Sequence, residues 1–144
     1  DSDVYPHLYE RGDYMLRANV VAGAYTANTN IPFVVNEKTN NKVSFDSSTN
    51  TFYINETGLE EIFVNISLTP NATGLYTVQM YADGQPVVGA TWNESFATAT
   101  STKTAIISDV VRVVPSVLGR ASITFQATGD ANFIDGAVKF LYVD

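Results

Sequence analysis

The stretch that decides the fold reads Leu75-Tyr-Thr-Val-Gln-Met-Tyr-Ala-Asp-Gly-Gln-Pro-Val-Val-Gly-Ala-Thr-Trp92. Apolar and polar residues alternate on both sides of Asp83-Gly84, a dipeptide that suits a two-residue turn in which both positions have positive φ. The pattern therefore predicts a β-hairpin. We expect its first strand to direct Tyr76, Val78 and Met80 toward a core and Tyr81 outward.

Short alternating or β-branched runs flank this hairpin, and turn-forming residues separate them. The predicted strands cover residues 14–21, 31–35, 43–46, 51–54, 59–69, 104–114, 122–127 and 133–143. Residues 36–42 read as a turn-rich break, and residues 93–102 as a polar loop that carries a lone Phe96. Helical periodicity is missing throughout, so the sequence predicts an all-β sandwich or jelly roll.

The chain has the length of one domain. Its 144 residues are enough to bury a substantial core without a second domain. Residues 1–13 are polar and irregular, and we interpret them as a linker from an upstream stalk or segment, with residues 14–144 forming the head domain. We expect this head to terminate a longer fibrous or tethered protein.

Composition excludes several classes of partner. The net charge is −7, and the eight basic residues are scattered, which argues against a nucleic-acid partner. Cysteine is absent, so there is no disulfide framework and no thiolate metal site. Charged residues make up 16% of the chain and apolar residues 45%, so part of the apolar surplus is expected in a subunit interface. No apolar run is long enough to span a membrane.

No residue set predicts catalysis or a cofactor. His7 is the only histidine and lies in the presumed linker, which argues against a catalytic triad or a histidine metal site. Glu60 and Glu61 point to opposite faces of a strand, and we interpret them as a solvated strand start. Asp109 lies within an apolar alternation and needs a partner if it is buried, either in an ion pair with Arg112 or Arg120 or as a metal ligand.

The spacing of several motifs resembles the trimeric jelly-roll domains of the tumour necrosis factor (TNF) and complement globular-head superfamily. The matching residues are Ile31-Pro32-Phe33, then Phe45-Asp46 with Phe52, Gly58, Val78 with Met80, Asp83-Gly84, Val87-Val88, and Gly136 with Phe140. Two departures stand out, because Asn50 replaces the usual turn glycine and Glu60-Glu61 replace the usual aromatic residues. The Ala-Gly-Asp turn expected before the penultimate strand is also missing, and residues 115–120 stand in its place.

The resemblance implies a ten-stranded antiparallel jelly-roll sandwich that assembles as a homotrimer. It places the hairpin in the outer sheet, away from the three-fold axis. Because aromatic residues dominate subunit interfaces, we predict that Phe63, Phe140 and Tyr142 pack between subunits.

A ligand surface is expected where loops meet the rigid sandwich, and Trp92, Phe96 and Tyr81 are its candidate residues. Exposed rings are typical of carbohydrate-binding surfaces, while core or trimer contacts explain the same aromatic content.

Two further motifs allow more than one interpretation. Arg11-Gly12-Asp13 spells the integrin-recognition tripeptide or forms a simple turn, and Asn-x-Ser/Thr sequons stand at Asn55, Asn65, Asn71 and Asn93.

The functional hypothesis is a non-enzymatic trimeric fibre or head domain of a virion, such as a bacteriophage, that mediates host attachment or decorates the particle. Its partners would be a second and third copy of the chain and a host cell-surface glycan or protein. The alternative is a secreted ligand or recognition module of the complement or cytokine kind, or a bacterial spore-surface protein.

Overall fold

The computed structural model describes residues 14–39, 41–114 and 119–143. The presumed linker, with His7 and the Arg11-Gly12-Asp13 tripeptide, lies outside these residues. Eleven strands make up the described chain: β1 Tyr14–Val20, β2 Gly23–Tyr25, β3 Phe33–Lys38, β4 Val43–Asp46, β5 Thr51–Ile54, β6 Gly58–Pro70, β7 Gly74–Ala82, β8 Gln85–Phe96, β9 Lys103–Val113, β10 Ala121–Ala127 and β11 Ala131–Tyr142.

The strands form two antiparallel sheets that pack face to face. The first sheet has the order β3-β1-β11-β6-β9, with β2 paired to β11. The second sheet has the order β4-β5-β10-β7-β8. The all-β sandwich expected from the sequence is thus confirmed, with the three-residue β2 as an additional short strand.

The predicted hairpin is β7 and β8. Asp83 has a φ of 49° and Gly84 a φ of 81°, as a two-residue turn with two left-handed positions requires. Tyr76, Val78 and Met80 are buried and Tyr81 lies on the outward face, which confirms the expected register. The second strand continues to Phe96, so the tract from residue 93 to residue 96 is strand and not the predicted loop.

A bulge interrupts the hairpin between Gln79 and Tyr81. The Gln79 side chain stabilises it, because its Nε2 donates to the backbone oxygens of Met80, Val87 and Ala90 at 2.8, 3.0 and 3.2 Å. Its Oε1 accepts a hydrogen bond of 2.6 Å from the Thr91 hydroxyl. One amide thus satisfies several groups that the interrupted ladder leaves without strand partners.

Phenylalanine rings join the two sheets at the centre of the core. Phe52 of β5 packs against Phe140 of β11 and Phe33, with ring centroids 4.9 and 5.3 Å apart. On β6 the predicted inward face is confirmed, since Ile62, Val64, Ile66 and Leu68 are all buried.

The residues of the resemblance motif form a tight turn between β4 and β5. The Asp46 Oδ1 accepts hydrogen bonds from the Ser48 backbone N and hydroxyl at 2.9 and 2.6 Å, and these bonds hold the pKa of Asp46 below its usual value. Asn50 adopts a φ of 54°, which explains how asparagine replaces the turn glycine. Beyond the turn, the Phe45 ring packs against the Phe52 ring, with centroids 4.5 Å apart and planes tilted by 44°.

Candidate ligand-binding groove

A groove of about 700 Å³ lies on the outward face of the second sheet, and we call it the outer groove. Its volume is within the range of small-molecule sites. Apart from Gly84, the described lining residues are polar or aromatic: Asn30, Thr49, Thr51, Tyr53, Tyr81, Asp83, Gly84, Arg120, Ser122, Thr124 and Gln126.

Strand alternation builds the floor of this groove. In β10 the residues Ile123 and Phe125 are buried, so Ser122, Thr124 and Gln126 face outward along the groove. The neighbouring strands add two tyrosines in register, because Tyr53 pairs with Ser122 and Tyr81 pairs with Thr124. Both phenol rings therefore flank the same row of short polar side chains.

An arginine stacks on a tyrosine at one end of the groove. The Arg120 guanidinium lies over the Tyr53 ring, 3.7 Å from its centroid. Beside it the Asp83 Oδ1 accepts a hydrogen bond of 2.9 Å from the Ser122 backbone N. The hairpin turn and the start of β10 are thereby tied together at this end.

The opposite end of the groove is held by two amides. The Gln126 Nε2 donates to the Asn30 Oδ1 at 2.9 Å, and the Asn30 Nδ2 donates to the Thr49 backbone oxygen at 3.1 Å. The wall formed by residues 30 and 49 is thus linked directly to β10.

Three hydroxyls among the groove's lining residues have no hydrogen-bond partner in the described part of the chain. They belong to Tyr53, Tyr81 and Thr124, which lie on three adjacent strands. Groups in this position remain available to a ligand or to water.

The structure separates the residues predicted for a ligand surface. Tyr81 lines the outer groove. Trp92 pairs with the buried Val78, so its half-buried ring lies on the inward face of the second sheet, opposite to Tyr81. Phe96 is only 2% exposed and packs against Tyr76 with ring centroids 5.3 Å apart, so its predicted place at the surface is corrected to the core.

The residues predicted for the trimer interface are separated as well. Phe63 lies on the outward face of the first sheet, between Lys139 and Ser108. Phe140 is fully buried among the core rings, which corrects its predicted position between subunits. Tyr142 is half-buried at the end of the sandwich, where its ring lies 3.1 Å from the position of a Cβ on Gly58.

Glu60 is buried at this same end and is 1% exposed, which corrects the prediction of a solvated strand start. Its Oε1 has no hydrogen-bond partner in the described chain. Burial and the nearby Glu56 carboxylate raise the pKa of Glu60 to about 7, while Lys42, paired to Glu56 at 3.1 Å, acts in the opposite direction. Glu61 is on the other face, as predicted.

Asp109 does not form the predicted pair with Arg112. Asp109 pairs with the buried Ile62 on the inward face of β9, whereas Arg112 is exposed and pairs with Leu59. The Asp109 Oδ1 instead accepts a hydrogen bond of 2.9 Å from the Val110 backbone N. Arg120, the other predicted partner, lies over Tyr53 in the opposite sheet.

No three His, Cys, Asp or Glu side chains gather as metal ligands in the part of the chain that the structure describes. Among the described segments, no helix is long and apolar enough to cross a membrane. The asparagines of all four sequons are exposed.

The two-sheet arrangement is similar to that of solved TNF-type structures. The structure of Eiger TNF from S. frugiperda superposes with a TM-score of 0.67 at 8% identity, over 92% of this chain and 96% of that one. The fold is a TNF-like jelly roll. The crystal structure of murine APRIL at pH 5.0 gives a TM-score of 0.63 at 12% identity, over 86% of this chain and 98% of the other. No protein-family model and no curated protein matches the sequence. The jelly roll expected from the sequence resemblance is confirmed by these superpositions.

Proposed function

We propose that this TNF-like jelly roll is a non-enzymatic recognition module that assembles as a homotrimer and acts outside cells. The similarity to Eiger TNF supports a ligand or binding head. It favours the cytokine-like alternative of the sequence analysis over the virion head.

An apolar patch on the outward face of the first sheet carries the proposal of self-association. Phe63 occupies its centre, and Ile106, Val110 and Leu141 take the diagonal positions on the two neighbouring strands. Ile106 is 66% exposed and Val110 is 48% exposed. Lys139 and Ser108 lie directly opposite Phe63 on the same face, so the apolar side chains alternate with polar ones that could hydrogen-bond across a subunit interface.

Light scattering of the purified chain tests this assembly. We expect a mass three times the chain mass of 15.7 kDa at micromolar concentration. The substitution Ile106→Asp places a charge in the patch and should yield a folded monomer, because an unpaired buried charge is costly. The matched control is Val88→Asp in the second sheet, where Val88 is 96% exposed. A monomeric wild type, or equal dissociation by both substitutions, would contradict the trimer.

The virion head is the second candidate, and the acidic, cysteine-free sequence favours it. Cell staining separates the two candidates. Fluorescently labelled trimer that decorates bacterial cells and not animal cells would support host attachment by a virion. The reverse pattern would support an extracellular ligand.

A further inference from the structure

We propose that the outer groove binds a neutral saccharide. This inference deepens the recognition role proposed above and rests on it. It names the class of ligand for a surface that lies on the opposite sheet from the apolar patch.

The shape of the groove suits a short oligosaccharide. Its floor runs from Arg120, the residue before β10, to Gln126, a distance of about 20 Å at the rise of an extended strand. Both ends are fixed by hydrogen bonds from Ser122 to Asp83 and from Gln126 to Asn30. A preformed groove reduces the ordering cost of binding a flexible, elongated ligand.

The hydrogen-bonding groups suit sugar hydroxyls. The hydroxyls of Tyr53, Tyr81 and Thr124 each donate and accept, and none is engaged within the described chain. A sugar hydroxyl also donates and accepts, so each of the three can pair without leaving an unsatisfied group. An apolar ligand would bury the same hydroxyls without partners, at a cost in affinity.

The aromatic groups supply the apolar part of the site. Tyr81 is half-buried and lies across the groove floor from Tyr53. Its ring offers a surface for the C–H face of a pyranose, while its hydroxyl stays in reach of polar groups. The Tyr53 ring is covered by Arg120 at 3.7 Å, and this stacking fixes the plane of the guanidinium.

The charges of the lining favour a neutral ligand. Among the described residues that line the groove, Arg120 and Asp83 are the only charged ones, and their formal charges cancel. The chain carries a net charge of −7 and therefore repels anions at long range. A sialylated or uronate-containing glycan would gain no net attraction from the site.

Binding of the intact chain to a panel of immobilised oligosaccharides tests the proposal. The panel contains neutral glycans and, separately, sialylated and uronate-containing glycans. We expect binding to neutral members and about tenfold weaker binding for Tyr81→Phe and for Thr124→Val, since each removes one hydroxyl with little change in shape. The matched control is Thr57→Val, an exposed threonine outside the groove.

Three results would overturn the proposal: binding to acidic glycans alone, no binding to any neutral glycan, or equal weakening by Thr57→Val and the groove variants.

A second measurement needs no substitution. Amide chemical shifts of Ser122, Thr124 and Gln126 should move on titration with a neutral glycan that binds, and unmoved shifts there would contradict the site. Failure here is distinct from failure of the trimer, because a trimer without glycan binding contradicts only this inference and a glycan-binding monomer contradicts only the assembly.

Discussion

Gly136 of β11 runs so close to β6 that a Cβ at this position would lie 2.2 Å from the backbone oxygen of Asn65. Gly136 has a φ of 149°, just past the register irregularity between Phe133 and Asp135. The close approach brings two backbones together in the middle of the first sheet. A side chain therefore has no space here, and the backbone conformation also favours glycine.

The substitution Gly136→Ala should destabilise the fold by about 3 kcal/mol or more, because the strands must separate to admit the methyl group. Urea unfolding measures the change. The matched control is Gly74→Ala, since Gly74 also has positive φ, at 122°, but no atom within 4 Å of the added Cβ. The control should cost only about 1–2 kcal/mol. Equal costs at both glycines would show that the contact with Asn65 is unimportant.

Glu60 should make stability fall as pH rises from about 4.5 to about 7. The folded state holds the proton more tightly than the unfolded chain, so stabilisation is complete below the unfolded pKa and is lost as pH rises through the folded pKa. The substitution Glu60→Gln should remove this slope and stabilise the protein at pH 8 by on the order of 2 kcal/mol.

Thermal unfolding across this pH range provides the measurement. Lys42, Glu56 and Tyr142 are the ionisable groups around Glu60 in the described chain. The substitution Glu56→Gln measures how much the Glu56 carboxylate contributes to the pH dependence of stability. The matched control is Glu61→Gln on the opposite face of β6, which should leave the slope unchanged. A slope that persists in Glu60→Gln would assign it to another group.

Tyr76 links the two sheets through its hydroxyl. The Oη donates to the Asp130 backbone oxygen at 2.7 Å and accepts from the Asn71 backbone N at 3.2 Å. Because Tyr76 is buried, Tyr76→Phe should cost about 1–3 kcal/mol in chemical unfolding. The matched control is Tyr81→Phe, whose hydroxyl has no partner in the described chain and whose loss should leave stability unchanged. A similar cost for both variants would refute the role of the bridge.

Gln79 should not tolerate conversion to glutamate, although the two side chains have the same shape. A carboxylate would face the backbone oxygens of Met80, Val87 and Ala90 and has no proton to donate. We expect a loss of about 3 kcal/mol at neutral pH, with partial recovery in acid when the carboxyl is protonated. The exposed Gln85→Glu is the control. A pH-independent effect would show that the bulge does not depend on this donor.

Local alternation predicted much of the fold, because strands such as β6, β7 and β10 bury every second residue. The β6 pattern of Ile62, Val64 and Ile66 and the Asp83-Gly84 turn are examples that the structure confirms. Phe96 was missed because its flanking residues are polar and resemble a loop. In the structure this tract is part of the edge strand β8, where Asn93 and Ser95 face solvent while Phe96 lies on the inward face and packs against Tyr76.

The outer groove was only partly predictable. Tyr81 was expected to face outward, but Tyr53 and Thr124 join it only through the pairing of β5 and β7 with β10. Tyr53 and Ser122 are far apart in the sequence, and a single sequence does not specify such a long-range register. The burial of Glu60 was missed for a related reason, because the residues next to it in sequence do not indicate that it is buried at the end of the sandwich.

The outward faces of the two sheets point in opposite directions, with the core between the sheets. An assembly built through Phe63 and its neighbours would leave every outer groove open to solvent. Three copies of one site would then engage a glycan-covered surface together, and each binding event would raise the effective concentration of the next. A groove with weak affinity for a single saccharide would thus give long-lived attachment to a surface that carries many copies of that saccharide. It would give rapid release from a surface that carries few.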